Sequence, residues 1–399
     1  MKKIFITGAT GFIGGRLAEM AHERDISIVG LVRTWSRAAG LARLPVQMVH
    51  GDVLDLDSLR RGMKDCEVVF HCAVENRIGG EIHRRISVEG TANVMQAALE
   101  TGVQRVVHLS SAAVFGFRPE ADVVIDEDTY RYSDDLYGDG KIDSEKAALS
   151  YHQEHGLPVV ILRPTIVYGP FSFWSEYPMA ALREGRMVLV DGGTGICNAL
   201  YIDNLIEAMF LAARQDQAAG EVFHISDAAP ITWKGYIEAY AYLLGDDYLP
   251  LPEMSTQEIM AAIRAAAEVG MPALPRSSLK QAFRLIRDQR TREVLRTIPV
   301  VDRSAKAGKA IAQTLVPAPI RHQLRQKLLS HNDTNGSPNG LVEPAPRPLL
   351  SEDEVKMYTT FDKVVFPIDK ARQLLGYDPK IDFTEGMKRT AAWIEWARL

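Results

Sequence analysis

Cysteine is scarce: Cys66, Cys72 and Cys197 are the three in 399 residues. They close neither a disulfide framework nor a four-cysteine zinc site, and such usage fits a reducing compartment. Long apolar runs are missing too. None approaches the ~20 residues that a membrane-spanning helix needs. The start, Met-Lys-Lys-Ile-Phe-Ile-Thr-Gly, meets glycine and polar residues too soon for the apolar stretch of a secretion signal. The expected compartment is the cytoplasm. An excess of positive charge is absent as well: 46 Lys and Arg against 51 Asp and Glu leave a net −5, so the chain as a whole is not built to coat nucleic acid. No internal repeat is visible. A hydrophobic fraction of 46% with 24% charged residues is ordinary globular composition and excludes wholesale disorder.

What is present is an alternation. Short apolar runs at Lys3–Thr7, Ser27–Val32, Val46–His50, Val68–Cys72, Arg105–Ser110 and Val159–Arg163 are separated by helical patterns such as Gly14–Glu23, Thr91–Glu100 and Ile142–His155, and Val222–Ile225 reads as a seventh strand. Strand–helix–strand alternation of this length predicts an α/β fold, a doubly wound parallel sheet covered on both faces. The pattern changes after about residue 250. Residues 276–330 hold thirteen Lys and Arg against three acids, a net +10, which leaves −15 on the rest of a −5 chain. Pro317 and Pro319 limit any one helix there to a few turns. Residues 331–348, rich in Asn, Gly, Ser and Pro, read as a flexible loop.

The first apolar run leads into Gly8-Ala9-Thr10-Gly11-Phe12-Ile13-Gly14, where a helix begins. Glycines at such a turn let backbone approach a pyrophosphate, and the helix start offers free N–H groups to it. This octet from Thr7 resembles the fingerprint of the extended short-chain dehydrogenase/reductase superfamily. Gly51-Asp52-Val53 resembles that family's adenine-contacting turn, and His71-Cys72-Ala73 its His-x-Ala. Leu162-Arg163-Pro164 through Tyr168-Gly169-Pro170, Tyr201-Ile202-Asp203-Asn204 and Asp369 through Tyr377 resemble its later segments. The resemblance covers roughly 1–245 and 360–399, and not 255–345. It implies a Rossmann-like NAD(P)-binding domain over 1–165 and a smaller, mostly helical substrate-binding region over 166–399. In the latter, 200–226 returns to the sheet, 255–330 is a basic helical insertion and 331–348 a flexible loop. The implied dinucleotide contacts are Gly8, Thr10, Gly11, Phe12, Ile13, Gly14, Arg33, Asp52, Val53, Cys72, Ala73, Tyr137, Lys141, Pro164 and Val167.

Arg33 ends the second strand where NAD-preferring proteins place an acid for the ribose 2′-hydroxyl. An arginine there, with Arg37 near, attracts a 2′-phosphate instead, so NADP is expected ahead of NAD. Tyr137 and Lys141 form Tyr-x-x-x-Lys, one helix face if the stretch is helical. A neighbouring ammonium and an oxidised nicotinamide would both favour the phenolate, and a fall of about three units would make Tyr137 a base near neutral pH. The resemblance assigns it the hydroxyl proton, gives Lys141 the nicotinamide ribose as well, and makes Ser111 the serine bonded to the reacting oxygen. Expected substrate contacts are Glu75, Ser111, Tyr137 and Asn198, and no metal site is expected. Three departures stand out. Ser87 replaces an asparagine, Gly140 precedes Lys141, and Ala112-Ala113 stand where sugar-nucleotide 4,6-dehydratases carry the Asp-Glu pair for losing water. The expected activity is an NAD(P)-dependent epimerase or oxidoreductase on a nucleotide-activated sugar. The alternatives are an NADPH-dependent carbonyl reductase or hydroxysteroid-dehydrogenase-like enzyme on an apolar alcohol or ketone and, further off, a non-catalytic nucleotide sensor. The expected partner is a small anionic molecule and not nucleic acid. A homodimer and a peripheral membrane contact through 276–330 stay open.

Overall fold

The computed structural model describes residues 1–74, 82, 84–116, 124–133, 135–245, 249–268 and 350–397. The chain divides into two compact units, 1–259 with 352–399, and 260–351. The basic segment 276–330 and the loop 331–348 lie outside the described residues.

The first unit is built on one seven-stranded parallel sheet: β1 (Lys3–Thr7), β2 (Ser27–Val32), β3 (Val46–His50), β4 (Val68–His71), β5 (Arg105–Leu109), β6 (Val159–Pro164) and β7 (Val222–Ile225). The spatial order is β7-β6-β5-β4-β1-β2-β3. The strands are near-continuous apolar runs because helices cover both faces. These include α1 (Phe12–His22), α2 (Leu56–Met63), α3 (Gly90–Glu100) and α4 (Leu136–His155). On one face Phe5, Val29, Val69, Val106 and Ile161 pack against Leu59 and Met63 of α2, Val94 and Met95 of α3, and Ala148 of α4.

The chain reverses direction of travel across the sheet between β1 and β4, the place where open α/β sheets bind ligands beyond their strand ends. Register makes that place polar. Thr7 pairs with His71, and His71 with His108, so three polar side chains sit side by side on β1, β4 and β5 in an otherwise apolar sheet.

After β6 the chain forms short ribbons and further helices. Ile166–Tyr168 pairs in parallel with Ala199–Tyr201, and Ile196–Cys197 pairs antiparallel with Ile231–Thr232. The helices are α5 (Phe173–Arg183), α6 (Ile202–Arg214), α7 (Trp233–Leu244), α8 (Thr256–Glu268), α9 (Glu352–Thr359), α10 (Asp369–Leu375) and α11 (Phe383–Ala397). The last segment closes back on the sheet: α10 ends at Gly376 with φ of 71°, and the Tyr377 hydroxyl donates to the Ser226 carbonyl at 3.1 Å. No described helix is long and apolar enough to cross a membrane.

Candidate active site

The turn after β1 is shaped by close contact. Gly8 has φ of 68°, and a Cβ on it would come within 2.8 Å of the Cys72 carbonyl group. A Cβ on Gly14 would lie 2.4 Å from the Gly8 carbonyl oxygen. Only glycine satisfies both positions. Gly11 N–H donates to the Gly8 carbonyl at 2.9 Å, and Gly11 caps α1 with no side-chain bond to the helix start. Phe12, Ile13 and Gly14 therefore begin a helix whose first N–H groups have no intrahelical acceptor. That cradle fits a pyrophosphate. The Arg16 guanidinium anchors α1 from behind through Asp203 of α6 (2.7 and 3.2 Å), and Arg389 of α11 shares the same carboxylate at 3.2 Å.

His71 ties the cradle to the sheet. The Ala73 N–H donates to Thr7 Oγ1 at 3.1 Å, and Thr7 Oγ1 lies 2.8 Å from His71 Nδ1. On the other side His71 Nε2 meets Thr91 Oγ1 at 3.1 Å, whose hydroxyl donates to the Ser87 carbonyl at 2.6 Å. With the Thr91 proton committed, His71 carries its own proton on Nε2, and Thr7 donates to Nδ1. Burial, with Lys141 near, pushes His71 down to about 3, so it stays neutral.

Arg33 follows β2 and lies 3.6 Å from the Asp52 carboxylate beyond β3. Asp52 also accepts the Leu54 N–H at 3.0 Å. Val53 is buried in the core, so a contact from it runs through its backbone.

α4 carries Tyr137 and Lys141, the two side chains expected to react. Asp135 caps it by accepting the Gly138 N–H at 2.7 Å. Helical spacing then sets Tyr137 and Lys141 on one face. Ser111 follows β5, opens a single turn over Ala112–Phe115 and hydrogen-bonds the Tyr137 side chain. Lys141 is buried, donates to the Leu109 carbonyl at 2.7 Å and lies 5.9 Å from the Tyr137 ring centroid. Burial lowers Lys141 to about 8, opposed by Cys72 and Glu145. Burial likewise pushes the half-buried Cys72 thiol up to about 12, which keeps it protonated and inert.

The sequence reading expected the Lys141 ammonium and an oxidised nicotinamide together to lower Tyr137. In the structure burial raises Tyr137, Asp135 adds to the rise, and the Ser111 bond offsets part of it. The Lys141 ammonium is directed at a main-chain carbonyl rather than at the phenol. The chain's own groups thus hold Tyr137 as a neutral phenol.

Ser111, Tyr137, Lys141 and Cys72 are brought together. Pro164 ends β6 and Val167 lies on the next short strand, both buried. Asn198 is turned elsewhere: its Nδ2 donates to the Val364 carbonyl at 2.9 Å and lies 3.4 Å from that of Phe361. Glu75 lies outside the described residues. The sequence reading missed Gly138, where a Cβ would fall 2.7 Å from the Ala113 carbonyl, and Glu145, one helical turn after Lys141. The spacing Tyr-x-x-x-Lys-x-x-x-Glu was the available signal for the latter.

A family model for the NAD dependent epimerase/dehydratase family matches residues 4–226, more than half of the chain. The chain belongs to that family. Its members use a nicotinamide dinucleotide, and the glycine cradle, the uncapped start of α1 and the Tyr137–Lys141 face fit one. The chain is 30% identical, over 59% of its length and 71% of the relative's, to the 4-hydroxy-2-methyl-3-oxo-4-farnesyl-3,4-dihydroquinoline-1-oxide ketoreductase of Stigmatella aurantiaca. It is 28% identical, over 66% of its length and 72% of the relative's, to the 2-alkyl-3-oxoalkanoate reductase of Shewanella oneidensis. Among solved structures, the UDP-glucose 4-epimerase of Thermotoga maritima with UDP-glucose aligns over 100% of both chains with a TM-score of 0.65 at 16% identity, a likeness of fold.

Proposed function

We propose that this enzyme is an NADPH-dependent reductase of a ketone with an apolar body. The observation that carries the reading is the apolar character of the exposed side chains beside the site, Val74, Tyr132 and Leu136. Tyr137, a partly exposed phenol hydrogen-bonded to Ser111, can give its proton to an oxygen gaining negative charge. The reduced nicotinamide, when bound, supplies the hydride to the carbonyl carbon. Ser111 donates a hydrogen bond to the same oxygen, and Tyr137 hands its proton over as the alkoxide forms. Lys141, a cation at neutral pH and on the same helix face, stays bonded to the Leu109 carbonyl and lies 5.9 Å from the Tyr137 ring centroid. Proton and hydride together convert the ketone to the alcohol.

The surroundings agree with an apolar substrate. Leu136, Tyr132 and Val74, each adjacent to or just beyond a site segment, are exposed hydrophobic side chains at 53%, 37% and 41%. Arg163 and Arg131 are turned inward onto Glu145. The two relatives above act, by their names, on ketones bearing farnesyl or alkyl chains. Arg33 at the end of β2 supports NADPH over NADH.

The test is absorbance of the reduced nicotinamide with two substrate sets. A 2-alkyl-3-oxoalkanoate or a prenylated ring ketone should be reduced with equimolar loss of NADPH. Interconversion of UDP-sugars without net absorbance change, and no loss of NADPH with the ketones, would overturn the reading in favour of an epimerase.

A further inference from the structure

We propose that Glu145 is a positioning residue of this reaction: its buried carboxylate joins the segment carrying Ser111 to the helix carrying Tyr137 and Lys141, and supplies the negative charge that faces Lys141. The proposal rests on the reading that Tyr137 and Lys141 act on substrate.

Glu145 lies four residues beyond Lys141 and eight beyond Tyr137 on α4, so all three share a face. Its side chain is wholly buried, at 0% exposure. One carboxylate oxygen accepts the Ser110 hydroxyl at 2.5 Å and Arg163 Nε at 2.8 Å. The other accepts Arg163 Nη2 at 2.9 Å and Arg131. Ser110 is the chain neighbour of Ser111, Arg163 lies on β6, and Arg131 lies in the segment that enters α4. One carboxylate therefore fixes the end of β5, the end of β6 and the approach to α4 relative to the face that bears Tyr137. A buried ion network is costly to desolvate, and apolar residues of like volume often serve stability as well. Its four bonds converge instead on the segments that carry Ser111, Tyr137 and Lys141.

The electrostatics point the same way. The groups facing Lys141 and Glu145 are His71 from β4 and Cys72 just after it, His108 from β5, Arg163 from β6, Arg131 from the preceding segment and Tyr137 on α4 itself. Beside α4, Arg85 and Glu89 form an ion pair at 3.1 Å. Burial keeps both histidines neutral and the Cys72 thiol protonated. Among these groups Glu145 is the anion that supports the Lys141 ammonium, raising its value against burial. Arg163, Ser110 and Arg131 in turn keep Glu145 ionised. Neutralising it leaves Arg131, Arg163 and Lys141 as mutually repelling cations.

The experiment compares Glu145→Gln, Glu145→Asp and Ser110→Ala with wild type. It measures thermal unfolding, the pH dependence of NADPH affinity by nicotinamide fluorescence, and kcat and KM with a 2-alkyl-3-oxoalkanoate. Wild-type NADPH affinity should weaken as pH rises through about 8, as Lys141 loses its proton. In Glu145→Gln that limb should move to lower pH by about half a unit or more, and kcat should fall roughly tenfold or more with KM within about threefold. Glu145→Asp, which keeps the charge, should restore the limb. Ser110→Ala should fold, keep the limb, and lower kcat. If Glu145→Gln does not fold, the Ser110→Ala and Glu145→Asp results decide. An unmoved limb in folded Glu145→Gln, or activity losses in Ser110→Ala and Glu145→Asp that merely track the fraction able to bind NADPH, would overturn the proposal. Retained turnover in Tyr137→Phe would instead overturn the underlying reading, whatever the Glu145 variants do.

Discussion

Arg33 and Asp52 form an ion pair at 3.6 Å across the ends of β2 and β3, where the proposed NADPH would set its 2′-phosphate. A 2′-phosphate would compete with Asp52 for the guanidinium. Arg33→Asp should reverse that attraction and move preference from NADPH towards NADH by a factor of about ten or more, read as the ratio of kcat/KM for the two cofactors. An unchanged ratio would exclude Arg33 from the phosphate subsite. Ser111, Tyr137 and Lys141 were legible in the sequence, because a helical repeat and a strand end fix which side chains can meet. The protonation of Tyr137 was not. It depends on burial, on Asp135 and on where Lys141 points, and all three are set by tertiary packing. Asn198 shows the same gap: its position was readable, but the carbonyls of Phe361 and Val364 that occupy its amide come from more than 160 residues away.

α4 is held to the Ser111 turn by a glycine contact. A Cβ at position 138 would lie 2.7 Å from the Ala113 main-chain oxygen and 2.2 Å from Ser133 Oγ. The serine can rotate away, whereas the carbonyl cannot. Gly138→Ala should therefore push the first turn of α4 from the Ser111 turn, destabilising the fold by about 1–3 kcal/mol as overpacking does. It should lower kcat more than it weakens NADPH binding. Wild-type kcat in Gly138→Ala would mean that the distance between the two segments does not matter for turnover. The strands were readable from their apolar runs almost to the residue, and Val222–Ile225 matched as read. Helix starts were less so. α1 begins at Phe12, two residues before the periodic pattern does, because an uncapped glycine turn carries no apolar signature. α4 begins at Leu136, where the polar stretch Asp-Gly-Lys masks its periodicity.

The sheet buries three histidines, His71, His108 and His224, and burial holds all three below the ordinary histidine value, His71 and His224 down to about 3. His224 sits edge-to-face with Phe115 and Phe366, with neither ring nitrogen hydrogen-bonded. The unfolded chain takes up these protons near 6.5 and the folded chain only far below. The stability this neutrality allows is therefore present above about pH 6.5 and lost as pH falls, by about 1.4 kcal/mol per unit for each histidine between about 6.5 and 4. Unfolding midpoints in denaturant at pH 7 and pH 5 measure it, and His224→Leu should reduce the loss by one histidine's share. Equal midpoints at the two pH values would contradict the burial of these rings. The parallel sheet followed from local alternation and the cradle from its glycines, whereas the strand order came with the structure. The long-range closure by residues 360–397 was recognisable only as a motif, since its packing against β7 depends on contacts distant in sequence. The proposed chemistry turns on one phenolic oxygen, that of Tyr137, bonded to Ser111. The direct test is Tyr137→Phe, assayed for NADPH affinity by fluorescence and for turnover of the ketone panel. Turnover should fall by about 10²–10⁴-fold, the usual worth of a positioned proton donor, while the NADPH dissociation constant stays within about threefold. Turnover within about tenfold of wild type, with NADPH bound normally, would contradict the assignment of proton transfer to this residue.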